Sequence, residues 1–258
     1  MSWTGEPSVS APSGPVTVRV LGIGMGPQHV TPEVGNALAG ADYVIAAQKA
    51  ADDPLLAVRR AIAEAYAVPL VAIEDPERDR DHPADYPRAV AQWHEARVAA
   101  YEQVLRERGG TAAFLVWGDP SLYDSTLRIV EQLGQRMPIR VDVLPGISAP
   151  QLLAARHRMV LHRVGEPVHV TTARRLREDV AAGQRNLLVM LSAGLGPAGV
   201  DPAGLADWFI WWGANLGHAS EELVAGRVGD VAGDIERARA RARDAAGWVM
   251  DLYLLRAP

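Results

Sequence analysis

The chain has 258 residues, of which 48% are hydrophobic and 22% are charged, a composition typical of a globular protein with one large or two medium-sized domains. It has no cysteine, which excludes a disulfide framework, a thiolate zinc site and a cysteine nucleophile. Its 26 basic and 31 acidic residues give a net charge of −5, which argues against a general nucleic-acid coat.

Two absences bear on where the protein works. No run approaches about 18 uninterrupted apolar residues, so we expect no transmembrane helix. The N-terminus lacks a basic stretch followed by an apolar one, so we expect no secretory signal and a cytoplasmic location. Residues 1–15 are rich in Ser, Pro and Gly, which predicts a flexible tail.

The first half of the chain alternates strand and helix patterns. A β-branched run at 16–23 predicts a buried strand, followed by a glycine loop and a helix with Thr31 as N-cap and Pro32 in its first turn. Further strands are predicted at 43–47, 68–73, 111–117 and 139–144, and helices at 87–108, 122–133 and 148–155. This alternation predicts a mostly parallel sheet with its site at the carboxyl ends of the strands.

The second half has a different pattern. Strands are predicted at 167–172, 187–191, 208–212 and 248–254, and helices at 174–182, 202–206 and 230–243. The expected fold class is therefore α/β, with two α/β domains and a cofactor cleft between them. We place the N-terminal domain at 16–155 and the C-terminal domain at 156–258.

The glycine loop after the first strand at first suggests dinucleotide binding. That fingerprint needs glycines at the first, third and sixth places, and the sixth place counted from Gly22 is Pro27. The second strand ends at Gln48 and Lys49 rather than at a carboxylate that could accept the ribose hydroxyls. The spacing therefore argues against a nicotinamide cofactor and leaves a tight turn that lets the backbone approach something closely.

Two other strand ends carry the same kind of turn. WGDPSLY at 117–123 and LPGISA at 144–149 place Gly, Pro and small residues just after buried strands. Three such turns at one edge of a parallel sheet predict a cleft lined by backbone N–H and C=O groups. Such groups can hold a zwitterionic amino-acid tail and an adenine edge.

Together, these segments resemble the tetrapyrrole (precorrin) methylases, which use S-adenosylmethionine. The family pattern combines a glycine loop (here GIGMGPQHVT), Gly-Asp-Pro and Pro-Gly-Ile-Ser, and the resemblance runs from about Val18 to the C-terminus. The strings WGDPSLYDSTLRI at 117–129 and GEPVHVTTARRL at 165–176 resemble members that methylate carbon-1 of precorrin-5 and release acetate, in the aerobic route to cobalamin.

The resemblance implies a cofactor folded between the domains, a tetrapyrrole substrate and a homodimer. Carried over to this sequence, the cofactor contacts fall on Met25, Trp117, Gly118, Asp119, Leu122, Ser148, Ala149, Leu191, Gly213 and Ala214. The histidines show no ligand spacing, so no metal site is predicted. No nucleic-acid or membrane partner is expected.

A precorrin carries many carboxylates, so an acidic enzyme must concentrate its cations locally. Arginine suits bidentate carboxylate contacts. Cations follow the Pro-Gly turn and a strand end in the second half, and others lie on the long helix. The candidate substrate-binding residues are Arg156, Arg158, Arg174, Arg175, His94 and Arg97, and a solvated face is the alternative for each of them.

Methyl transfer to an electron-rich ring carbon needs in-line placement and exclusion of water more than acid–base catalysis, because the sulfonium is a good leaving group. Acetate release needs water to attack a carbonyl, which a general base or an oxyanion donor would assist. The sequence identifies no catalytic residue. Asp119 is a candidate, and a loop hydrogen bond in the Gly-Asp-Pro turn is the alternative interpretation.

Other functions remain open at this level. Ala173 and the pair Ser192-Ala193 depart from the family pattern, which leaves methylation of another precorrin carbon, or of a non-tetrapyrrole acceptor such as ribosomal RNA. A nicotinamide-dependent reductase is an alternative from a different enzyme class. A nucleotide-sensing or scaffold module, which binds without turnover, is the non-enzymatic alternative.

Overall fold

The computed structural model describes residues 14–48, 50, 53–76, 86–192 and 202–258, without the side chains of 86–91, 202 and 203. Apart from its last two residues, the predicted flexible tail lies outside the described residues, as does Ala193. The chain divides into two compact units, Met1–Ile147 and Ser148–Pro258. The predicted boundary lay after residue 155, so the helix after the Pro-Gly turn falls in the second unit instead.

The first unit contains a five-stranded sheet in the order β3-β2-β4-β1-β5, with every neighbouring pair parallel. Its strands are β1 Val16–Gly22, β2 Tyr43–Gln48, β3 Leu70–Glu74, β4 Thr111–Val116 and β5 Ile139–Leu144. Its helices are α1 Pro32–Ala39, α2 Pro54–Ala65, α3 Tyr86–Arg108 and α4 Thr126–Arg136. The five predicted strands are confirmed to within a few residues.

Local sequence signals explain where these helices begin. Thr31 caps α1 as predicted, its hydroxyl accepting a hydrogen bond from the Val34 amide. Helix α2 is not among the predicted elements, although Asp53 caps it and Pro54 opens it in the standard way. Helix α4 starts at Thr126 rather than at 122, because the chain after Gly-Asp-Pro first turns.

The two faces of this sheet are covered by different helices. One buried cluster joins Leu21 to α1 and α2 through Val34 and Ile62, and the other joins Val20 to α3 and α4 through Val98 and Leu133. After β1 the chain crosses over β4 to reach β2, and after β4 it crosses over β1 to reach β5. The connections therefore diverge between β1 and β4, the place where open α/β sheets bind ligands.

The second unit contains a mixed sheet in the order β6-β7-β10-β8-β9, in which only β6 and β7 pair in parallel. Its strands are β6 His169–Thr172, β7 Asn186–Met190, β8 Phe209–Ala214, β9 Glu222–Arg227 and β10 Asp251–Arg256. Its helices are α5 Ala149–His157, α6 Leu176–Ala181 and α7 Val228–Ala246, with a 3-10 turn at Pro202–Leu205. Strand β9 was not predicted, and the apolar last strand, β10, is the central one.

No helix in the part of the chain that the structure describes is long and apolar enough to cross a membrane.

Candidate functional site

Three glycine turns follow β1, β4 and β5 and interlock through bare main chain. The Gly118 amide donates to the Gly24 carbonyl at 2.8 Å, and the Gly24 amide donates back to the Gly118 carbonyl at 3.3 Å. A Cβ atom on Gly146 would lie 2.1 Å from the Gly118 oxygen and 2.6 Å from the Gly22 carbonyl carbon. Only glycine therefore fits at position 146. The three turns, which the sequence analysis placed at one edge of the sheet, lie together in the structure.

Main-chain groups in these turns bond to one another. Gly24 and Gly118 are buried, and each has φ near +64°. The expectation of free backbone groups at every turn therefore does not hold at these two glycines, since their amides and carbonyls already pair. Met25, whose side chain is 9% exposed, follows directly after Gly24. The glycines set the shape of the site, and the residues beside them are the better candidates for contacts with a ligand.

Asp119 connects two of the turns. Its Oδ2 accepts a hydrogen bond from the Gly146 amide at 3.0 Å, and its Oδ1 accepts from the amide and the hydroxyl of Ser121 at 2.9 and 2.5 Å. Burial raises the pKa of Asp119, but these hydrogen bonds outweigh it and hold the pKa below the ordinary value. Both oxygens thus have structural partners, which favours the loop-hydrogen-bond interpretation over general-base catalysis.

A pocket of about 230 Å³ opens beside the Gly-Asp-Pro turn, within the first unit. It lies at the carboxyl ends of β2 and β4, against α2, α3 and the start of α4. The predicted residues Trp117 and Arg97 both line it. The Trp117 Nε1 atom is buried and has no hydrogen-bond partner among the described residues. Trp117 therefore lines the pocket with its ring, while its N–H is enclosed by protein atoms and unsatisfied by the described residues.

Arg97 is held by an ion pair in the pocket wall. Its Nε and Nη2 donate to the two oxygens of Asp75 at 2.6 and 2.9 Å, and both side chains are largely buried. Its guanidinium also lies 4.2 Å from the ring centre of Trp93. His94 packs edge-on against the same tryptophan at 4.9 Å and does not line the pocket. Arg97 is therefore already neutralised, whereas a substrate carboxylate would need an available cation.

Arg59 on α2 is a pocket residue that the sequence analysis missed. Its Nε donates to the Leu115 carbonyl at 2.9 Å and its Nη1 to the Leu55 carbonyl at 3.4 Å. Its guanidinium lies 5.8 Å from the ring centre of Trp117. Desolvation lowers its pKa, and the carboxylates of Asp53 and Asp124 oppose that effect. The start signal of helix α2, Asp53 followed by Pro54, would have pointed to a helix that carries Arg59.

In the second unit, three predicted cofactor residues leave the sheet at one edge. Strands β7 and β8 both run antiparallel to β10, so Leu191 after β7 and Ala214 at the end of β8 lie at the same edge. Leu191 is 65% exposed. At Gly213 a Cβ atom would lie 3.0 Å from the Leu153 side chain, so this glycine also lets α5 pack on β8.

Helix α5 carries four further candidates. Ser148 forms a capping box with Gln151, which occupies both its hydroxyl and its amide, and Ala149 is the first helical residue. Arg156 donates a hydrogen bond to Glu221 at 2.8 Å. Arg158, at the C-cap, is exposed, and its backbone adopts the left-handed conformation with φ 53°. Arg158 is therefore more available to a ligand than Arg156.

Arg174 and Arg175 follow β6. Arg174 is exposed, and Arg175 lies 3.4 Å from Glu178 and 3.7 Å from Asp179. Asp179 accepts a 2.5 Å hydrogen bond from the Thr171 hydroxyl, which is the main cause of its lowered pKa. Arg175 thus belongs partly to a network inside the second unit, and Arg174 is the more available of the two.

Backbone strain adds a signal that the sequence does not carry. Five described non-glycine residues have positive φ, and three of them coincide with or follow a predicted cofactor residue: Tyr123 after Leu122, Leu191 itself and Asn215 after Ala214. Tyr123 is also 46% exposed. Left-handed backbone at bulky residues costs free energy and clusters at ligand sites, so Tyr123 joins the candidates.

No group of three or more potential metal ligands occurs among the residues that the structure describes.

The family of Tetrapyrrole (Corrin/Porphyrin) Methylases matches residues 17–232, which is most of the chain. The chain belongs to this family. It is also 41% identical over 257 residues to a protein named precorrin-6A synthase [deacetylating] from a Sinorhizobium species, covering 95% of this chain and 97% of that protein.

Solved structures show the same fold. A cobalamin-synthesis-related protein (CobF) of Corynebacterium diphtheriae is 35% identical, with a TM-score of 0.77 over 94% of this chain and 99% of that one. The uroporphyrin-III C-methyltransferase of Thermus thermophilus, complexed with S-adenosylhomocysteine, is 17% identical, with a TM-score of 0.58 over 93% of this chain and 91% of that one. The latter likeness concerns the fold alone.

Proposed function

We propose that this chain is a deacetylating precorrin-6A synthase. It transfers the methyl group of S-adenosylmethionine to carbon-1 of precorrin-5 and releases acetate, giving precorrin-6A. The observation that carries this proposal is the 41% identity, over 95% of the chain, to a relative of that name. The interlocked turns after β1, β4 and β5 support it, since their shape depends on glycine at positions typical of the methylases.

The residues present fit the proposed donor. The apolar side chains of Met25 and Trp117, beside the turns, offer packing contacts to a nucleoside with an amino-acid tail. We propose cofactor contacts at Met25, Trp117, Gly118, Asp119 and Leu122 in the first unit, and at Ser148, Ala149, Leu191, Gly213 and Ala214 in the second. When bound, S-adenosylmethionine supplies the activated methyl group.

The protein's contribution to methyl transfer is placement. Asp119 fixes the Gly118 turn against the Gly146 turn, so the surface that receives the donor is rigid before it binds. Such preorganisation supplies much of the rate of a transfer that needs alignment and exclusion of water more than proton movement. Asp119 is accordingly a positioning residue, with both oxygens occupied.

Among the predicted substrate residues, the structure supports a ranking. Arg158 and Arg174 are exposed, whereas Arg97, Arg156 and Arg175 would have to leave Asp75, Glu221 and the Asp179 network to take a substrate carboxylate. We therefore propose Arg158 and Arg174 as the first carboxylate contacts. The other three arginines and His94 remain weaker candidates.

Two measurements test the function. Titration calorimetry should show S-adenosylhomocysteine binding and no binding of NADPH, and the reverse result would replace the methylase proposal by a reductase. Incubation with precorrin-5 and labelled methyl donor should give a methylated product and one acetate per turnover. Methylation without acetate would indicate another precorrin carbon, and cofactor binding without turnover would indicate a sensor.

We also propose a cytoplasmic homodimer, as the resemblance to the methylases implies. The absence of cysteine is compatible with a reducing compartment. Light scattering during gel filtration should give twice the chain mass of 27.7 kDa. A single-chain mass at micromolar concentration would contradict the dimer without affecting the proposed reaction.

A further inference from the structure

Strand β7 ends in a strained turn that exposes one of the proposed donor contacts. Leu191, directly after the strand, has φ 52° and is 65% exposed. Left-handed backbone costs free energy at a leucine, and it persists where the surrounding structure fixes it, most often at ligand sites. The residues on both sides of Leu191 are therefore the ones to inspect.

The residue before Leu191 is held by the neighbouring strand. Met190 is the last residue of β7, and its carbonyl accepts a hydrogen bond from the Ala173 amide, just after β6, at 3.4 Å. On the other side, β7 pairs with the central strand β10 as far as Val189, which lies opposite Tyr253. The described β7–β10 ladder ends there, so beyond Val189 it no longer fixes the chain against β10.

The residue after Leu191 is held by a buried tyrosine. Tyr253 of β10 is 2% exposed within the apolar core of the second unit, and a hydrogen bond joins its hydroxyl to the side chain of Ser192. Burial is the main cause that raises the pKa of Tyr253, and the Asp251 carboxylate adds to it, so the hydroxyl keeps its proton at neutral pH. A buried hydroxyl needs such a partner. Tyr253 thus connects the chain after β7 to β10 beyond the end of the ladder.

We propose that Tyr253 is a positioning residue for S-adenosylmethionine, which acts with Ser192 to hold the turn that presents Leu191 to the donor. The inference rests on the proposed function, because it concerns the same donor site. It also gives a role to Ser192, one of the positions at which the sequence departs from the family pattern. Without the hydrogen bond the strained turn would relax, and the donor would bind only the fraction of molecules that keeps it. The apparent dissociation constant would rise by the inverse of that fraction.

A purely structural bond is the alternative. Tyr253 lies on the central strand of its sheet, so its hydroxyl could stabilise the second unit without affecting the donor. The two roles differ in the donor affinity of the folded protein. A structural bond affects the melting temperature alone, whereas a positioning bond also affects the affinity.

Titration calorimetry with S-adenosylhomocysteine separates these roles in Tyr253→Phe and Ser192→Ala. Each substitution removes one hydroxyl and keeps the remaining side-chain atoms, and Ser192 is only half-buried, so both variants should fold. The dissociation constant should rise about three- to tenfold in each, the range that the loss of one hydrogen bond allows. The double variant should bind no more weakly than the weaker single variant, because both substitutions break the same bond. Ser192→Thr keeps a hydroxyl and should stay within about twofold of the wild type.

Tyr43→Phe is the matched control. Tyr43 is 3% exposed, and its hydroxyl donates to the Gly109 carbonyl at 3.0 Å. It is the first residue of β2, so it lies at the edge of the first sheet opposite the glycine turns. This variant should lower the melting temperature about as much as Tyr253→Phe does, because each loses one buried hydrogen bond. Its dissociation constant for S-adenosylhomocysteine should stay within about twofold of the wild type.

Steady-state kinetics give a second readout. In Tyr253→Phe and Ser192→Ala the KM for S-adenosylmethionine should rise with the dissociation constant. The KM for precorrin-5, and kcat at saturating donor, should stay within about twofold of the wild type, since the bond affects donor binding rather than the chemical step.

The remaining outcomes overturn the proposal. Unchanged affinity in Tyr253→Phe and Ser192→Ala would make the bond structural only, and additive losses in the double variant would show that the two hydroxyls do not act together. An equal loss of affinity in Tyr43→Phe would indicate general loosening of the protein. If the wild type itself does not bind S-adenosylhomocysteine, the proposed function fails and the positioning role fails with it. Binding by the wild type together with unchanged variants leaves the function standing and overturns only the role of Tyr253.

Discussion

At the scale of single residues, Asp119 shows that a sequence motif can predict a turn without deciding the role of the side chain within it. Gly-Asp-Pro predicts a turn, and the carboxylate within it was compatible with either a structural bond or a reacting group. The hydrogen bonds to the Gly146 amide and to Ser121 occupy both oxygens. Because Gly146 lies 27 residues further along the chain, no pattern of neighbouring residues could have indicated that partner.

Asp119→Asn should lower both the free energy of unfolding and the affinity for S-adenosylhomocysteine, because it weakens the bond between two turns. The pKa of Asp119 is held below the ordinary value of 3.8, so its stabilising effect is present above pH 3.8 and is lost as the pH falls through the lower folded-state pKa. Urea unfolding at several pH values should show the gap between wild type and variant closing below about pH 4. A gap that stays constant from neutral to acid pH would contradict this role.

Gly146→Ala should separate the turns, because its Cβ would lie 2.1 Å from the Gly118 oxygen. We expect a loss of more than about 2 kcal/mol in the free energy of unfolding, and a loss of S-adenosylhomocysteine binding measured by calorimetry. Gly134→Ala on the exposed face of α4 is the matched control, since its Cβ would meet Ile139 only at 3.7 Å. That substitution should stabilise the protein by about 0.5–1 kcal/mol. Equal effects at the two glycines would exclude turn-to-turn contact as the reason for Gly146.

At the scale of elements, helix α5 ends on a strained residue. Arg158, at its C-cap, has φ 53° and ψ 45°, where glycine is normally found. A cation held in left-handed backbone next to a predicted cofactor helix is compatible with function, because strain of this kind persists where it is useful.

Arg158→Gly should raise the free energy of unfolding by about 0.5–1 kcal/mol, because it relieves that strain. If Arg158 binds a substrate carboxylate, the same variant should raise the KM for precorrin-5. Arg177→Gly in α6 should have the opposite effect on stability, since its glycine would lie inside a helix. Thermal unfolding and steady-state kinetics measure both effects. A lower melting temperature for Arg158→Gly would show that the arginine side chain contributes more than the strain costs.

The predicted elements differ from the observed ones where local signals are weak. Strand β5 was predicted to the residue, because β-branched residues alternate along it and Pro138 and Pro145-Gly146 delimit it. Strand β9 was missed since ELVAGR is short, polar and interrupted by glycine, and it is a strand only because β8 pairs with it. Helix α4 was started too early because the apolar pattern continues back into the turn.

At the scale of the whole molecule, the last strand of the chain occupies the middle of the second sheet. Strand β10 pairs with both β7 and β8, and its first five residues are buried. The second unit therefore cannot complete its core until the C-terminus has been added.

Truncation after Met250 should abolish the fold of the second unit, because β7 and β8 would lose their shared partner. Hydrogen exchange should then show unprotected amides in β7 and β8. Removal of Ala257 and Pro258 alone is the control, and should cost about 1 kcal/mol or less, since among the described residues the hydrogen bonds that it breaks are those to Arg185. Protected β7 amides in the longer truncation would show that the sheet tolerates the loss of its central strand.

Sequence patterns alone were enough for the α/β class, the five strands of the first unit, the three glycine turns and the methylase family, but not for helix α2 or strand β9. They were enough there because glycine, proline and helix caps act within a few residues of their own positions. The folded structure was needed to show that Arg59 shares a pocket with Trp117 and Asp124, that Asp75 neutralises Arg97, and that the Gly146 amide bonds to Asp119. Arg97 and Asp75 are 22 residues apart along the chain and Asp119 and Gly146 are 27 apart, and it is the order of the strands in the sheet that brings them into contact.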